Sequence, residues 1–275
     1  MHALQVRLSP SLWDALHERH RATGEPLGHI IRAALAQHLG HDTLFQVSTS
    51  TALVEGVYRG AMTVGALLEH GDFGLGTFEG IDGEMVVLDG RCFQVRDDGT
   101  VRAAADTAPT PFAVVTRFRA EHTASVPSVD DLAGLLAHVD AMRTSDNVFY
   151  AVRVEGTFPH VHTRAMCRTA DGVPLAEAAA HQPEFQLRDV EGTCVGFWSP
   201  DYARTFEVPG HHLHFLTRDA SAGGHVLGLS GRDLRVQVQT LHDFRVALPE
   251  HDAFLHADLT HDPASALARA EHDTK

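Results

Sequence analysis

Apolar and polar positions change their period repeatedly along this chain. At the start Leu4, Val6 and Leu8 alternate with Gln5 and Arg7, the two-residue period of a short half-buried strand. Ser9-Pro10 then offers an N-cap with proline at the first helical position. Leu12, Ala15, Leu16 and Arg19 follow at helical spacing up to Thr23-Gly24. A second helix is predicted over residues 26–39, with Leu27, Ile30, Ile31, Ala34 and Leu35 as its apolar stripe and Gly40 as its stop.

From Thr43 the texture changes. Leu44-Phe45-Gln46-Val47 gives way to Ser48-Thr49-Ser50-Thr51, and the spacing of Leu53, Val54, Tyr58, Met62, Val64 and Leu67-Leu68 suggests helix. Asp82-Gly83, Asp89-Gly90 and Asp98-Gly99 then punctuate apolar runs, the pattern of a β-meander. An amphipathic helix is predicted over 129–142, with Leu132, Leu135, Leu136 and Val139 on one face. Residues 149–158 read as a strand leaving through a turn towards 161–165, Val236, Val238 and Thr240 mark another strand, and an Ala-rich helix over 263–271 closes the chain. The pattern predicts an α+β fold of mainly antiparallel or mixed sheets with a few helices, preceded by a small β-α-α module. Residues 1–41 and 42–275 are the expected domains, the second with substructure near 42–145 and 146–275.

One stretch carries chemistry. In Gly210-His211-His212-Leu213-His214-Phe215-Leu216, His212 and His214 are two apart on a strand and share a face. The polar segment 217–222 and Gly223-Gly224 predict a hairpin that brings His225 back beside them. Three imidazoles on one face are the protein half of a catalytic zinc site with an open fourth position. With 21 histidines in the chain, a His-rich surface is the competing reading.

Composition narrows the chemistry further. The formal net charge of −14 argues against general adhesion to nucleic acid, and no apolar run approaches membrane-spanning length. The opening residues lack the pattern of a signal peptide, and three scattered cysteines fit neither a disulfide framework nor a thiolate metal site, so a reducing cytoplasm is expected. Lys275 is the only lysine, which removes Schiff-base and P-loop chemistry, and no Gly-x-Gly-x-x-Gly follows a strand. A metal is left as the source of difficult chemistry.

The opening segment, Leu4-Gln5-Val6-Arg7-Leu8-Ser9 with Thr23-Gly24-Glu25 and Ile30-Ile31-Arg32, resembles the ribbon-helix-helix family. That resemblance implies pairing of two chains through their strands, with Gln5 and Arg7 facing outward, and either dimerisation or DNA binding through residues 1–40. Four arginines (Arg7, Arg19, Arg21, Arg32) against three acids (Asp14, Glu18, Glu25) leave it at only +1, weak for phosphate binding.

From Thr43 onward the chain resembles acetolactate decarboxylase. The likeness is carried by Leu44-Phe45-Gln46-Val47-Ser48, Gly74-Leu75-Gly76-Thr77-Phe78, Asp82-Gly83-Glu84-Met85 with Leu88-Asp89-Gly90, Phe149-Tyr150-Ala151-Val152-Arg153 and Thr163-Arg164. It continues through Gly196-Phe197-Trp198-Ser199-Pro200 and the histidine hairpin. The resemblance implies a zinc-dependent carboxy-lyase that converts 2-acetolactate to acetoin and carbon dioxide, a soluble homodimer or higher homo-oligomer without membrane contact. It implies His212, His214 and His225 as zinc ligands, Glu84, Arg164 and Glu271 as catalytic residues and Thr77 as a substrate-binding residue. Such roles suit the residue types, since a guanidinium fork holds a carboxylate and carboxyl groups move protons. Two other readings stand beside it, a metal-responsive ribbon-helix-helix regulator and a cupin-like metalloenzyme built on His212-x-His214.

Overall fold

The computed structural model describes residues 5–39, 43–264, 266 and 267. The chain divides into two compact units, Met1–His41 and Asp42–Lys275. In the first, the helix Pro10–Thr23 starts on Ser9, whose side chain accepts from the Leu12 amide, and ends on Gly24 at φ 74°, the left-handed cap that glycine adopts without strain. The second helix is Leu27–Leu39. Gln5–Ser9 form no strand, which corrects the reading from the alternation of Leu4 to Leu8. A two-residue period becomes a ladder only where a second strand supplies the hydrogen bonds, and no described residue lies alongside in that way. Leu4 and Gly40 are outside the described residues.

The larger unit is built on two sheets. The first has seven strands in the order Asp243–Ala247, Thr43–Val47, Ala113–Thr116, Phe73–Thr77, Glu84–Leu88, Arg91–Val95 and Val101–Ala103. Its later strands are the expected meander. Asp89 at φ 51° and Gly90 at φ 75° make the two-residue left-handed turn that matches strand twist, joining Glu84–Leu88 to Arg91–Val95.

The second sheet has five strands. Phe149–Arg164 pairs with both Glu184–Ser199 and Gly223–Leu241, and Gly210–Thr217 lies between those two. Four strands therefore return on themselves, and His122–Val129 adds to the outside of Gly223–Leu241. The two sheets face each other across a core that includes Leu75, Val86 and Phe93 from one and Ala151, Val195, Phe197 and Leu216 from the other. The helix Leu132–Met142 covers the outer face of the second sheet through Leu135 and Val139, and the short helix Val64–Leu68 covers that of the first.

Three expectations change in detail. The helix predicted from residue 129 begins at Leu132, because Val129 still pairs with Gly231 and Asp131 caps the helix by accepting from the Gly134 amide at 2.8 Å. The apolar run from Leu53 to Leu68 forms two short helices, Ser50–Val54 and Val64–Leu68, parted after Gly56 at φ 82°. Residues 149–164 make one strand instead of a strand, a turn and a second strand. Pro159 has no amide to donate, and the pairing passes over it and Asp189, at φ 51°, without a change of register. Of the closing helix, only residues 263, 264, 266 and 267 are described, with the Leu267 amide on the Pro263 carbonyl at 2.9 Å.

Candidate active site

The hairpin between Gly210–Thr217 and Gly223–Leu241 makes His214 and His225 direct cross-strand partners. On its other side His225 is opposite Arg164. Arg164, His225 and His214 thus form one row across three adjacent strands, and side chains in a row project to the same face. His212, two residues before His214, joins them. That face looks into the space between the sheets, since Val195 and Phe197, opposite His214 and His212, belong to the inter-sheet core.

Glycine makes the row possible. Gly224 sits at φ 132°, and a Cβ there would lie 2.5 Å from the Arg164 carbonyl oxygen. Any side chain would force the Arg164 strand away from the strand carrying His225.

The three imidazoles are buried, at 8% exposure for His212, 1% for His214 and 5% for His225. One ring nitrogen from each lies within 4.8 Å of those of the other two, and ring centroids are 5.0–5.4 Å apart. The Nδ1 of His214 is 2.8 Å from the Met85 carbonyl oxygen. A carbonyl only accepts, so Nδ1 carries the proton and Nε2 presents a lone pair. That bond joins the histidine hairpin to the strand Glu84–Leu88 of the facing sheet. Three neutral imidazoles, one of them oriented by a backbone carbonyl, fit a divalent first-row metal with one coordination position open.

The facing sheet contributes the acid. Glu84 is paired in register with Thr77, and its side chain enters the inter-sheet space. Its Oε2 lies 3.4 Å from His214 Nε2, and its Oε1 accepts from the Met166 amide at 3.1 Å. The Asp82-Gly83 turn just before it needs glycine, since Gly83 has φ 82° and a Cβ would meet the Val95 carbonyl oxygen at 2.2 Å. Thr77 donates its hydroxyl to the Gly83 carbonyl at 2.7 Å, and the Thr110 hydroxyl donates to the Thr77 carbonyl at 2.7 Å. The Thr77 side chain is thereby tied to the backbone that presents Glu84.

Arg164, at 3% exposure, shares the same cavity with Thr77, Glu84 and the three histidines. Six of the seven residues singled out in the sequence meet there. Glu271 lies outside the described residues. Sequence reasoning missed the apolar wall, made by Leu53, Ile81, Phe112, Met166, Leu175 and Val208. These come from separate loops and short helices, and nothing in their local pattern marks them as a set.

A family model described as alpha-acetolactate decarboxylase matches residues 44–261. The alpha-acetolactate decarboxylase of Methylococcus capsulatus is 44% identical over 247 residues, covering 89% of this chain and 95% of that one. That of Methanosarcina mazei is 40% identical over 231 residues, covering 84% and 80% respectively. The crystal structure of the Bacillus subtilis strain 168 protein of the same description superposes with a TM-score of 0.81 at 33% identity, over 84% of this chain and all of that chain. Likeness at this level, spanning both sheets and the histidine hairpin, places the chain in the alpha-acetolactate decarboxylase family.

Proposed function

We propose that this chain is a carboxy-lyase that removes carbon dioxide from 2-acetolactate to give acetoin, with zinc held by His212, His214 and His225. The observation that carries this reading is the row Arg164–His225–His214 facing Glu84 at 3.4 Å from His214. It sets a carboxylate-binding cation, a metal-binding group and a proton-bearing group around one cavity. In the reaction the bond to the carboxylate carbon breaks, its electron pair stays on the substrate, and a proton takes the place of the lost carbon. When bound, zinc supplies a Lewis acid that withdraws electron density from the substrate oxygens.

The chain's own groups do the rest. Arg164 holds the substrate carboxylate in a bidentate fork before it leaves. Glu84 takes the hydroxyl proton or delivers a proton to the carbon that lost the carboxylate, and its burial between sheets confines that transfer to one face. Thr77 positions Glu84 through the Gly83 carbonyl. Glu271 is the second acid–base candidate.

Chelation of the purified protein abolishes acetoin formation, and zinc restores it to a greater extent than other divalent first-row ions. Metal bound without acetoin formation sinks the reading. Arg164→Lys keeps the charge and loses the fork, so kcat/KM falls by about ten- to a hundredfold, the worth of one charge-assisted hydrogen bond. A kinetic comparison in which Arg164→Lys matches the wild type removes Arg164 from carboxylate binding.

The Met1–His41 unit serves to pair two copies of the chain. The helix Pro10–Thr23 has no buried residue, and Leu12 and Trp13, 55% and 52% exposed, offer apolar side chains for a second copy to cover. Leu12→Asp with Ile31→Asp lowers the mass measured by sedimentation equilibrium while acetoin formation persists. An unchanged mass removes this unit from the assembly. No helix among the described residues is long and apolar enough to cross a membrane.

A further inference from the structure

We infer that Ile81 sets the size of the substrate group that the site accepts, and that the chain carries backbone strain at this residue to keep its side chain in the wall. The inference rests on the decarboxylase reading above. Ile81 has φ 46°, in the left-handed region that a β-branched side chain rarely adopts. The other non-glycine residues of positive φ among those described are Ser48, Asp89, Asp189, Ala220 and Asp233, all small or polar. Gly80 and Gly83, on either side, are also left-handed, at 73° and 82°, so a glycine at position 81 would sit there relaxed.

The conformation is held from several directions. The Gly80 amide donates to the Tyr58 carbonyl at 2.9 Å, and the Thr169 amide donates to the Gly80 carbonyl at 2.7 Å. The Gly83 amide is shared between the Ile81 carbonyl at 2.9 Å and the Met166 carbonyl at 3.1 Å. The outcome is that Ile81, 1% exposed, lines the cavity three residues before Glu84. Strain that the surrounding structure enforces at a reaction site points to a use for the side chain it presents. Ile81 lines the same cavity as Glu84, Met166 and the three histidines, and its side chain gives that cavity apolar surface for an alkyl group of the substrate to meet.

The test uses the full chain with two probes, 2-acetolactate and its homologue bearing ethyl in place of methyl on the carbon that carries the hydroxyl. Ile81→Ala raises the homologue-to-acetolactate ratio of kcat/KM by about tenfold or more, the discrimination one methylene provides in an apolar pocket. Ile81→Val moves the ratio the same way by less. Melting temperatures report the strain. Ile81→Gly melts above Ile81→Ala, the reverse of the usual order, whereas at the helical wall residue Leu53 the Gly variant melts below the Ala variant. An unchanged substrate ratio, or Ile81→Gly melting at or below Ile81→Ala, overturns the inference. Wild-type protein that makes no acetoin removes the decarboxylase reading and this inference together, while wild-type activity with an unchanged ratio removes this inference alone.

Discussion

Replacing Glu84 by Gln lowers kcat by about two to four powers of ten, the range in which a positioned acid–base group contributes, while the protein keeps its metal and its fold. The reasoning starts from the two carboxylate oxygens, which do different things. Oε1 accepts from the Met166 amide at 3.1 Å, a bond that the amide oxygen of Gln makes equally well. Oε2 lies 3.4 Å from His214 Nε2, where Gln places a group that neither takes nor gives a proton at neutral pH. Side-chain volume and the bond to Met166 are retained, so the substitution opens no cavity and leaves no amide orphaned at the edge of the site. The change therefore falls on chemistry and little on binding, and KM for 2-acetolactate stays within a few-fold of the wild type. Acetoin assays alongside metal analysis of the same sample decide the matter. Full activity, or loss of activity in step with loss of metal, removes Glu84 from proton transfer.

The parts of this site that the sequence made legible are those in which local rules and site geometry coincide. His212-x-His214 followed by Gly223-Gly224-His225 is a hairpin signal and a ligand signal at once, because the two-residue period that forms a strand also puts the first two imidazoles on one face. The Asp-Gly turns delimited the meander because left-handed backbone at Asp89, Gly90 and Gly83 restricts which residues fit. The resemblance supplied Arg164 and Glu84, and the structure gives the physical reason they lie together. Arg164 reaches the histidines through register with His225, over sixty residues later in the chain, and no local pattern encodes register between distant strands.

What stayed hidden depended on tertiary context. Pairing that passes over Pro159 and Asp189 in unchanged register keeps one strand running where a turn was expected between residues 158 and 161. The alternation at Leu4–Leu8 describes what a strand would bury, but the chain offers those residues no neighbour to pair with among the described segments. The apolar wall was invisible because Leu53, Ile81 and Val208 are ordinary hydrophobic residues until three separated segments converge. Ile81 in particular follows no propensity rule, since its backbone favours glycine and its side chain is isoleucine.

His214→Ala has the second large effect, and it acts at two levels. His214 is the least exposed of the three imidazoles and is anchored to the opposite sheet through its Nδ1–H on the Met85 carbonyl at 2.8 Å. Truncation removes one of the three nitrogens proposed to hold zinc, leaves the Met85 carbonyl without that donor and opens space in the core. Loss of that buried hydrogen bond alone costs about 0.5–1.5 kcal/mol. Acetoin formation falls to the uncatalysed rate, because two imidazoles do not make the three-ligand site. The separable readout is thermal stability with and without zinc. A ligand that binds only the folded state raises the melting temperature in proportion to the logarithm of its concentration over its dissociation constant. Wild-type protein gains stability on zinc addition, whereas the His214→Ala variant starts lower and gains little at the same zinc concentration. A variant that starts lower yet gains as much as the wild type shows that zinc binds elsewhere, and the metal centre assigned to His212, His214 and His225 then fails.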